Sequence, residues 1–231
     1  MQSLRSAVQG LAVGLFPARC LGCGRRGQPL CHACEPSLAL VEGPVCSRCA
    51  LPRWNDRDCR GCKGLPAALA TVRGVYVYQG AARAAVHRLK FRGDRALAPW
   101  MSARLATAAR QHPLQADLVV PVPLASDRLR ERGYNQALLL AADVPAATGG
   151  TLADSVLVRE SRPAQRTLAA AERRQNLRGA FHCPEPALVA GKRVVLVDDV
   201  MTTGSTLAEC ARALHAAGAA RVMALVFARD V

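Results

Sequence analysis

The sequence predicts an α/β fold in which a parallel sheet is flanked by helices and preceded by a small cysteine-rich module. Strand-like and helix-like segments alternate through the last two thirds of the chain, which favours parallel pairing. Four Cys-x-x-Cys pairs lie in the first third, where the apolar pattern is weak. An apolar run at residues 194–197 ends in two carboxylates and a hydroxyl-rich turn. That order is typical of a ligand-binding strand end in a parallel sheet.

Composition indicates a globular protein with anionic partners. The chain has 231 residues, 51% of them hydrophobic, which is enough for one ordinary domain and a small appendage. The formal net charge of +14 predicts attraction to phosphates on a small ligand, a nucleic acid or a membrane surface. Of the 31 basic residues 28 are Arg, whose forked guanidinium suits phosphate groups.

The cysteine spacing indicates metal binding. Two residues between thiolates let both sulfurs reach one tetrahedral ion, and two such pairs complete a four-cysteine zinc site. The uniform spacing favours zinc over a disulfide framework, and no thioredoxin-like pattern supports a redox motif. We therefore predict two structural zinc ions. Their eight ligands are Cys20, Cys23, Cys31, Cys34, Cys46, Cys49, Cys59 and Cys62.

The simplest assignment of these ligands joins neighbouring pairs along the chain. The 7 residues after Cys23 and the 9 residues after Cys49 suit short ribbon hairpins between consecutive pairs. An interleaved cross-brace is the alternative assignment. Either arrangement holds the fold and performs no chemistry of its own, because all four positions on each ion are filled by protein.

The N-terminal segment is expected to be a short helix over residues 1–16 that packs on the zinc module or a partner. Its apolar stretch is interrupted by Gln9, Gly10 and Gly14, and a zinc knuckle follows in place of a signal-peptide cleavage site. No segment approaches the roughly 20 apolar residues of a membrane span. We expect a cytoplasmic protein.

The remaining chain divides into a zinc module at residues 17–65 and an α/β domain at residues 66–231. In the α/β domain the apolar patterns predict both strands and helices. The predicted strands cover residues 71–78, 117–121, 156–158, 193–197 and 221–227, and the predicted helices cover residues 81–90, 96–111, 135–142 and 203–217.

The polar segment at residues 198–206 has the composition of a phosphosugar site. The backbone N–H groups of residues 203–206 would be unpaired donors at a helix start, where the helix dipole also favours an anion. Gly204 allows close approach of the backbone, and the neighbouring hydroxyls add donors. Asp198 and Asp199 supply acceptors for a sugar diol or for Mg²⁺. A nucleoside-triphosphate loop would require a Gly-Lys-Ser/Thr sequence that this segment lacks.

The motif Asp198-Asp199-x-x-Thr202-Thr203-Gly204-Ser205-Thr206 resembles the phosphoribosyl-pyrophosphate (PRPP) motif of type I phosphoribosyltransferases. Further segments resemble the ComF family of competence-associated proteins, which join a zinc module to a phosphoribosyltransferase domain. These segments are Phe16-Pro17-x-x-Cys20-x-x-Cys23, His87-x-x-Lys90-Phe91, Val120-Pro121-Val122-Pro123-Leu124, Arg132-Gly133-Tyr134-Asn135-Gln136, and Gln165-x-x-Leu168 followed by residues 172–181.

The resemblance implies a type I phosphoribosyltransferase-like sheet behind a double zinc ribbon. It implies that Mg²⁺ and PRPP bind at residues 198–206, with Asp198 and Asp199 as the catalytic pair. In such transferases the loop after the strand corresponding to residues 117–121 holds pyrophosphate. The first basic residue in that loop here is Arg128, which we assign to PRPP binding.

An arginine-rich segment at residues 159–178 lies just upstream of this motif. It carries Arg159, Arg162, Arg166, Arg173, Arg174 and Arg178. Three interpretations stand: a hood that closes on substrate, a track for a nucleic-acid backbone, and a solvated helix face. Lys90 and Phe91 are weaker candidates for the sugar site, and Tyr134 is a candidate for base stacking or for a structural role.

Two functional hypotheses follow. In the first, favoured by the family resemblance, the protein binds PRPP or a related phosphosugar and acts in DNA uptake for natural transformation. Its basic surface and zinc module would then engage single-stranded DNA or a competence helicase. In the second, it is an active Mg²⁺-dependent phosphoribosyltransferase with an unidentified acceptor, since no acceptor pocket is recognisable in the sequence.

Overall fold

The computed structural model describes residues 19–41, 43–51, 59–62, 65–112, 114–160 and 177–231. The predicted N-terminal helix lies outside the described residues. So does the centre of the arginine-rich segment, including Arg162, Arg166, Arg173 and Arg174.

Seven strands occur in the described residues. They are β1 (Leu69–Val77), β2 (Leu118–Pro121), β3 (Thr151–Leu152), β4 (Val158–Arg159), β5 (Phe181–His182), β6 (Arg193–Met201) and β7 (Arg221–Arg229). Five of them form a parallel sheet in the order β1-β7-β6-β2-β3, and β4 pairs with β5 in a separate antiparallel ribbon. The predicted parallel sheet is therefore confirmed. The long strands β6 and β7 lie at its centre, as their continuous apolar runs require.

Six α-helices connect the described strands. They are α1 (Gly80–Phe91), α2 (Ala98–Gln111), α3 (Ser126–Arg132), α4 (Gln136–Leu140), α5 (Val144–Thr148) and α6 (Ser205–Ala216). Short 3-10 turns occur at Glu35–Ser37, Arg60–Cys62, Arg95–Leu97 and Pro186–Leu188.

The sheet separates two apolar cores, and the alternation of side chains along β6 assigns each residue to one of them. Val195 and Val197 pack in the core that contains Leu89 of α1 and Leu105 of α2. Val194 and Leu196 pack in the core that contains Leu207 and Leu214 of α6.

The zinc module contributes to both cores. Cys20 and Leu30, from its first half, join the core beneath α1 and α2. Cys46 and Cys49, from its second half, join the core beneath α6. The two halves of the module therefore pack on opposite sides of the sheet.

Two strand predictions need correction. The predicted strand at residues 156–158 is wrong, because Val156 and Leu157 are buried loop residues and the two-residue β4 belongs to the separate ribbon. The predicted strand at residues 193–197 continues to Met201, so that Asp198 and Asp199 are strand residues. Continued pairing with β7 extends the strand through both carboxylates.

Candidate functional site

The eight predicted ligand cysteines form two clusters in the described chain. Cys20, Cys23, Cys31 and Cys34 make one, and Cys46, Cys49, Cys59 and Cys62 make the other; in each, the sulfurs lie within 4.8 Å of one another. Consecutive pairs therefore share a cluster, as the simplest assignment predicted, and the cross-brace is excluded. Four sulfurs at this separation match the ligand set of a structural zinc ion.

The thiol chemistry of the first cluster fits a cation. Backbone N–H groups of Cys23 and Cys31 donate towards the Cys20 sulfur and lower the pKa of Cys20 to about 6. Hydrogen bonds with the Cys31 and Cys23 side chains instead raise the pKa of Cys34 to about 12. Four thiolates this close repel one another, and a zinc ion relieves that repulsion while taking the deprotonated form of each ligand.

The two carboxylates of the predicted PRPP site point to opposite faces of the sheet. Asp199 follows Val195 and Val197 along β6, and its carboxylate meets Lys90 at the end of α1. Asp198 lies on the α6 side, where its charge interacts with Cys210. Strand alternation alone separates them, and the sequence interpretation, which treated the pair as one group of acceptors, did not anticipate this.

Asp199 is held inside the protein by one ion pair. Its Oδ1 lies 2.6 Å from Nζ of Lys90, and its side chain is 2% exposed. Its Oδ2 is buried and has no hydrogen-bond partner among the described residues. Lys90, a weaker candidate in the sequence, is therefore a central residue of this site.

Asp198 is partly exposed, and its ionisation is close to balance at neutral pH. Burial and the neighbouring Asp199 carboxylate raise the pKa of Asp198 to about 7. The charges of Lys90 and Arg159 act in the opposite direction. A cation or a hydrogen-bond donor that approached this carboxylate would favour its ionised form.

The turn after β6 presents polar groups to solvent. Thr202 and Thr203 are exposed, and α6 begins at Ser205, two residues later than predicted. The N–H of Ser205 lies 3.4 Å from Oγ1 of Thr203, whereas the N–H groups of Thr203 and Gly204 have no partner in the described chain. Thr206, in the first turn of α6, is partly exposed. Free donors at the start of a helix suit an anion.

Gly204 is required by the fold at this turn. Its φ of 77° lies in the left-handed region, and a Cβ there would come within 2.4 Å of Cε of Met201 and 2.9 Å of Cδ2 of Leu65. Leu65 follows the second cysteine cluster, and its N–H donates to the Cys62 carbonyl. The turn is thereby packed directly against the end of the zinc module.

Arg229 forms hydrogen bonds with the backbone of the same turn. It is buried at the end of β7, and its Nη1 donates to the carbonyls of Met201, at 2.8 Å, and Thr202. Burial lowers the pKa of Arg229, while the charges of Cys49, Asp230 and Cys59 oppose that effect. The sequence interpretation missed this residue. Its signal was a single Arg at the end of the apolar run at residues 222–228.

A cavity of about 320 Å³ lies beside the Lys90–Asp199 pair. It is lined by Lys90, Phe91, Gly93, Arg128, Glu131 and Arg132. Arg128, the predicted pyrophosphate residue, is exposed on α3 and lies 2.7 Å from Glu131. Phe91 is 67% exposed, with the Arg132 guanidinium 5.8 Å from its ring centre. The fold thus brings the segment at residues 90–93 next to α3, two parts of the chain that the sequence interpretation treated separately.

Arg159 approaches the site from the other face of the sheet. Its guanidinium lies 5.4 Å from the Phe181 ring centre. Burial lowers the pKa of Arg159, and the charges of Cys210, Asp127 and Asp198 oppose that effect.

Tyr134 has a structural role: its ring is buried, its hydroxyl donates to the Leu89 carbonyl, and the Arg95 guanidinium lies 4.4 Å from its ring centre.

Comparison with known proteins agrees with this architecture. A phosphoribosyl transferase domain model matches residues 135–230, and a double zinc ribbon domain model matches residues 11–63. The chain is 36% identical to the DNA utilization protein YhgH of Salmonella typhimurium in an alignment that covers 87% of this chain and 97% of that protein. It is 29% identical to the competence protein ComFC of Bacillus subtilis over 84% of this chain and 80% of that protein. It is 30% identical to competence protein F of Haemophilus influenzae over 94% and 99% of the two chains.

The chain belongs to the ComF family. Its ComF fold is a phosphoribosyltransferase-like parallel sheet with helices, preceded by a double zinc ribbon with two structural zinc sites. The transferase match contains the turn after β6 and Arg229, and the ribbon match contains both cysteine clusters. Within the described ranges, no helix combines the length and hydrophobicity that a bilayer crossing requires.

Proposed function

We propose that this ComF-family protein binds PRPP or a related phosphosugar at the turn after β6 and acts in DNA uptake. The observation that carries the ligand assignment is the turn itself. The exposed hydroxyls of Thr202 and Thr203 and two unpaired N–H groups lie at the start of α6, and Arg229 holds the preceding carbonyls. A phosphate satisfies such donors without any change in the backbone.

Asp198 supplies the second half of the ligand assignment. It is the last partly exposed carboxylate before this turn, and in its ionised form it can accept a hydrogen bond from a sugar hydroxyl or share Mg²⁺ with the ligand's phosphates. Asp199 has a different role in this proposal. Its ion pair with Lys90 fixes the end of β6, which aligns the turn and the Asp198 carboxylate.

The DNA-uptake part of the proposal rests on the relatives and on charge. Two relatives are named as competence proteins and a third as a DNA utilization protein. The net charge of +14 suits a phosphate backbone, and single-stranded DNA and a competence helicase are the partners that we propose. A cytoplasmic location, expected from the sequence, stays a prediction.

A thermal-shift experiment with PRPP and Mg²⁺ tests the ligand assignment. We expect the melting temperature of the wild type to rise on addition of ligand, and Asp198→Asn to remove that rise. Asp154→Asn is the matched control, because Asp154 is exposed and lies outside the site. A wild type that PRPP does not stabilise, or an Asp198→Asn variant that responds normally, overturns the proposal.

A second candidate function is phosphoribosyl transfer, which the cavity beside Lys90 favours. Lys90, Arg128 and Arg132 line a space of about 320 Å³. Asp199 and Glu131 pair with the first two of these cations, and a departing pyrophosphate would compete with Glu131 for Arg128 and could also contact Arg132. The test is release of pyrophosphate from PRPP across a panel of nucleobases and amines. Absence of release with every acceptor, in protein shown to bind PRPP, leaves the binding function and removes the enzymatic one.

A further inference from the structure

A second, larger cleft lies at the opposite edge of the sheet from the turn after β6. It has a volume of about 620 Å³ and opens where β1, β6 and β7 begin. We call it the amino-edge cleft and define it by Ser47, Arg48, Thr71, Arg73, Arg193 and Arg221. Arg193 and Met201 are at opposite ends of β6, so the cleft is about 26 Å from the turn, at roughly 3.3 Å per residue.

Three of the four arginines in the amino-edge cleft carry uncompensated charge. Arg193 is neutralised by Asp117, with Nη2 and Oδ1 2.9 Å apart. Arg48, Arg73 and Arg221 have no carboxylate partner within the described chain. No acidic residue lines the described part of the cleft, so these three arginines give it a net positive charge.

Two of these arginines are held in fixed orientations by neutral groups. Arg48 donates to the carbonyls of Leu65, at 3.0 Å, and Pro66, at 2.5 Å. Arg73 uses one nitrogen, Nη1, to reach the Ser47 carbonyl at 2.8 Å and the Thr71 hydroxyl at 2.9 Å. Carbonyl and hydroxyl partners orient a guanidinium without cancelling its charge. Nε and Nη2 of Arg73 have no partner in the described chain and are available to an anion.

The second zinc ribbon forms one wall of the cleft. Ser47 and Arg48 stand between the ligands Cys46 and Cys49, so zinc binding fixes their backbone. The knuckle is docked on β1 by a 2.7 Å hydrogen bond from the N–H of Val72 to the Arg48 carbonyl. The ribbon therefore does more than stabilise the fold, because it also positions cationic side chains beside the sheet.

We propose that the amino-edge cleft binds consecutive phosphates, as presented by a single strand of nucleic acid. Its volume exceeds that of one phosphate group, and its lining offers cations and polar side chains, with the imidazole of His112 but no phenylalanine, tyrosine or tryptophan ring for base stacking. Recognition would therefore be electrostatic and independent of base sequence. The inference locates the DNA surface of the proposed function, on which its nucleic-acid part rests, and it does not involve the PRPP turn.

The test measures binding of a labelled 20-nucleotide oligo(dT) and of inorganic tripolyphosphate to the full zinc-loaded chain. The cleft variant is Arg73→Gln/Arg221→Gln, and the control variant is Arg25→Gln/Arg83→Gln, which removes the same charge from exposed positions outside the cleft. Arg221→Gln alone is a second cleft variant, since the exposed Arg221 side chain makes no hydrogen bond in the described chain.

We expect the cleft variant to bind both probes roughly tenfold more weakly or worse, because each charge-assisted hydrogen bond contributes strongly. The slope of log affinity against log salt for oligo(dT) should fall by about 1.4, or about 0.7 per lost phosphate contact. The control variant should bind almost as well as the wild type. PRPP-dependent thermal stabilisation should be unchanged in both variants, and equal zinc content verifies their folding.

Equal weakening by the cleft and control variants overturns the assignment, since general charge then explains binding. A wild type that binds neither oligo(dT) nor tripolyphosphate overturns the assignment as well. Cleft-dependent binding of tripolyphosphate without binding of oligo(dT) supports the phosphate site and refutes the DNA part of the proposed function. If PRPP does not stabilise the wild type, the proposed sugar site is refuted, whereas the proposal for the amino-edge cleft is judged only by the oligo(dT) and tripolyphosphate results.

Discussion

The ammonium group of Lys90 lies 2.6 Å from Oδ1 of Asp199, and this ion pair joins the end of α1 to the carboxyl end of β6. The carboxylate is almost fully buried, and no other described side chain neutralises it at ion-pair distance. The pair therefore links the helix that borders the 320 Å³ cavity to the strand that leads into the proposed PRPP turn.

Removal of one partner of the Lys90–Asp199 ion pair should lower the free energy of unfolding. Lys90→Met leaves a buried carboxylate without a cation, and we expect it to lower the free energy of unfolding by roughly 3 kcal/mol. Lys90→Met/Asp199→Asn should recover a large part of that loss, because no charge is then left unpaired. Chemical denaturation of the four proteins of the double-mutant cycle measures this. Strictly additive losses would show that the two side chains are not coupled.

Asp198 should make stability depend on pH. Its folded-state pKa of about 7 exceeds the ordinary value of 3.8, so the native state holds the proton more tightly than the unfolded state. The contribution of Asp198 to stability is therefore largest below pH 4, falls as pH rises towards 7 and is absent above it. Asp198→Asn should melt a few degrees above the wild type at pH 8, with a smaller difference at pH 5. Parallel melting curves of the two proteins across this range would contradict the prediction.

Gly204→Ala should be destabilised by both strain and crowding. Gly191→Ala is the matched control, because Gly191 also has a left-handed φ, 71°, but a Cβ there would meet nothing within 4 Å. We expect roughly 1 kcal/mol from strain in each variant and at least 1 kcal/mol more in Gly204→Ala. Urea denaturation compares them, and Gly204→Ala should also weaken stabilisation by PRPP. Equal destabilisation of the two variants would show that Met201 and Leu65 yield to the added methyl group.

Zinc content should distinguish the two ribbons. The wild type should contain two zinc ions per chain by elemental analysis, and Cys31→Ser or Cys46→Ser should lower the value towards one. Cys183→Ser, outside both clusters, should retain two. PRPP-dependent stabilisation should suffer more in Cys46→Ser than in Cys31→Ser, because the second ribbon leads to Leu65 beneath Gly204. A larger effect in Cys31→Ser would contradict this order.

Local chemistry made several features predictable. The two-residue spacing within each cysteine pair and the short intervals between pairs led to the correct zinc clusters. The apolar runs at β6 and β7 have the continuous character of central parallel strands, and their burial on both faces follows from it. The boundaries of α1 and α2 were also close to those predicted, because their apolar residues repeat with helical spacing.

Other features depend on contacts between distant segments and leave little trace in sequence. Arg229 donates to the carbonyls of Met201 and Thr202, 27 or more positions away, and its place after the apolar run at residues 222–228 marks it as unusual without identifying these partners. β4 is another example, since its two residues are too short to show a period and depend on pairing with β5. The amino-edge cleft likewise combines Arg48, Arg73 and Arg221 from separate parts of the chain.

By itself, the sequence determined the class of structure, a zinc-stabilised N-terminal module before a parallel sheet, and it predicted a polar turn suited to phosphate. These follow from spacing, hydrophobic period and side-chain chemistry within a few residues. Tertiary structure alone decided how the acidic pair is divided, with Asp199 buried against Lys90 and Asp198 partly exposed on the other face. The physical reason is that burial and charge pairing depend on which distant side chains the sheet brings to each face, and local pattern does not encode those neighbours.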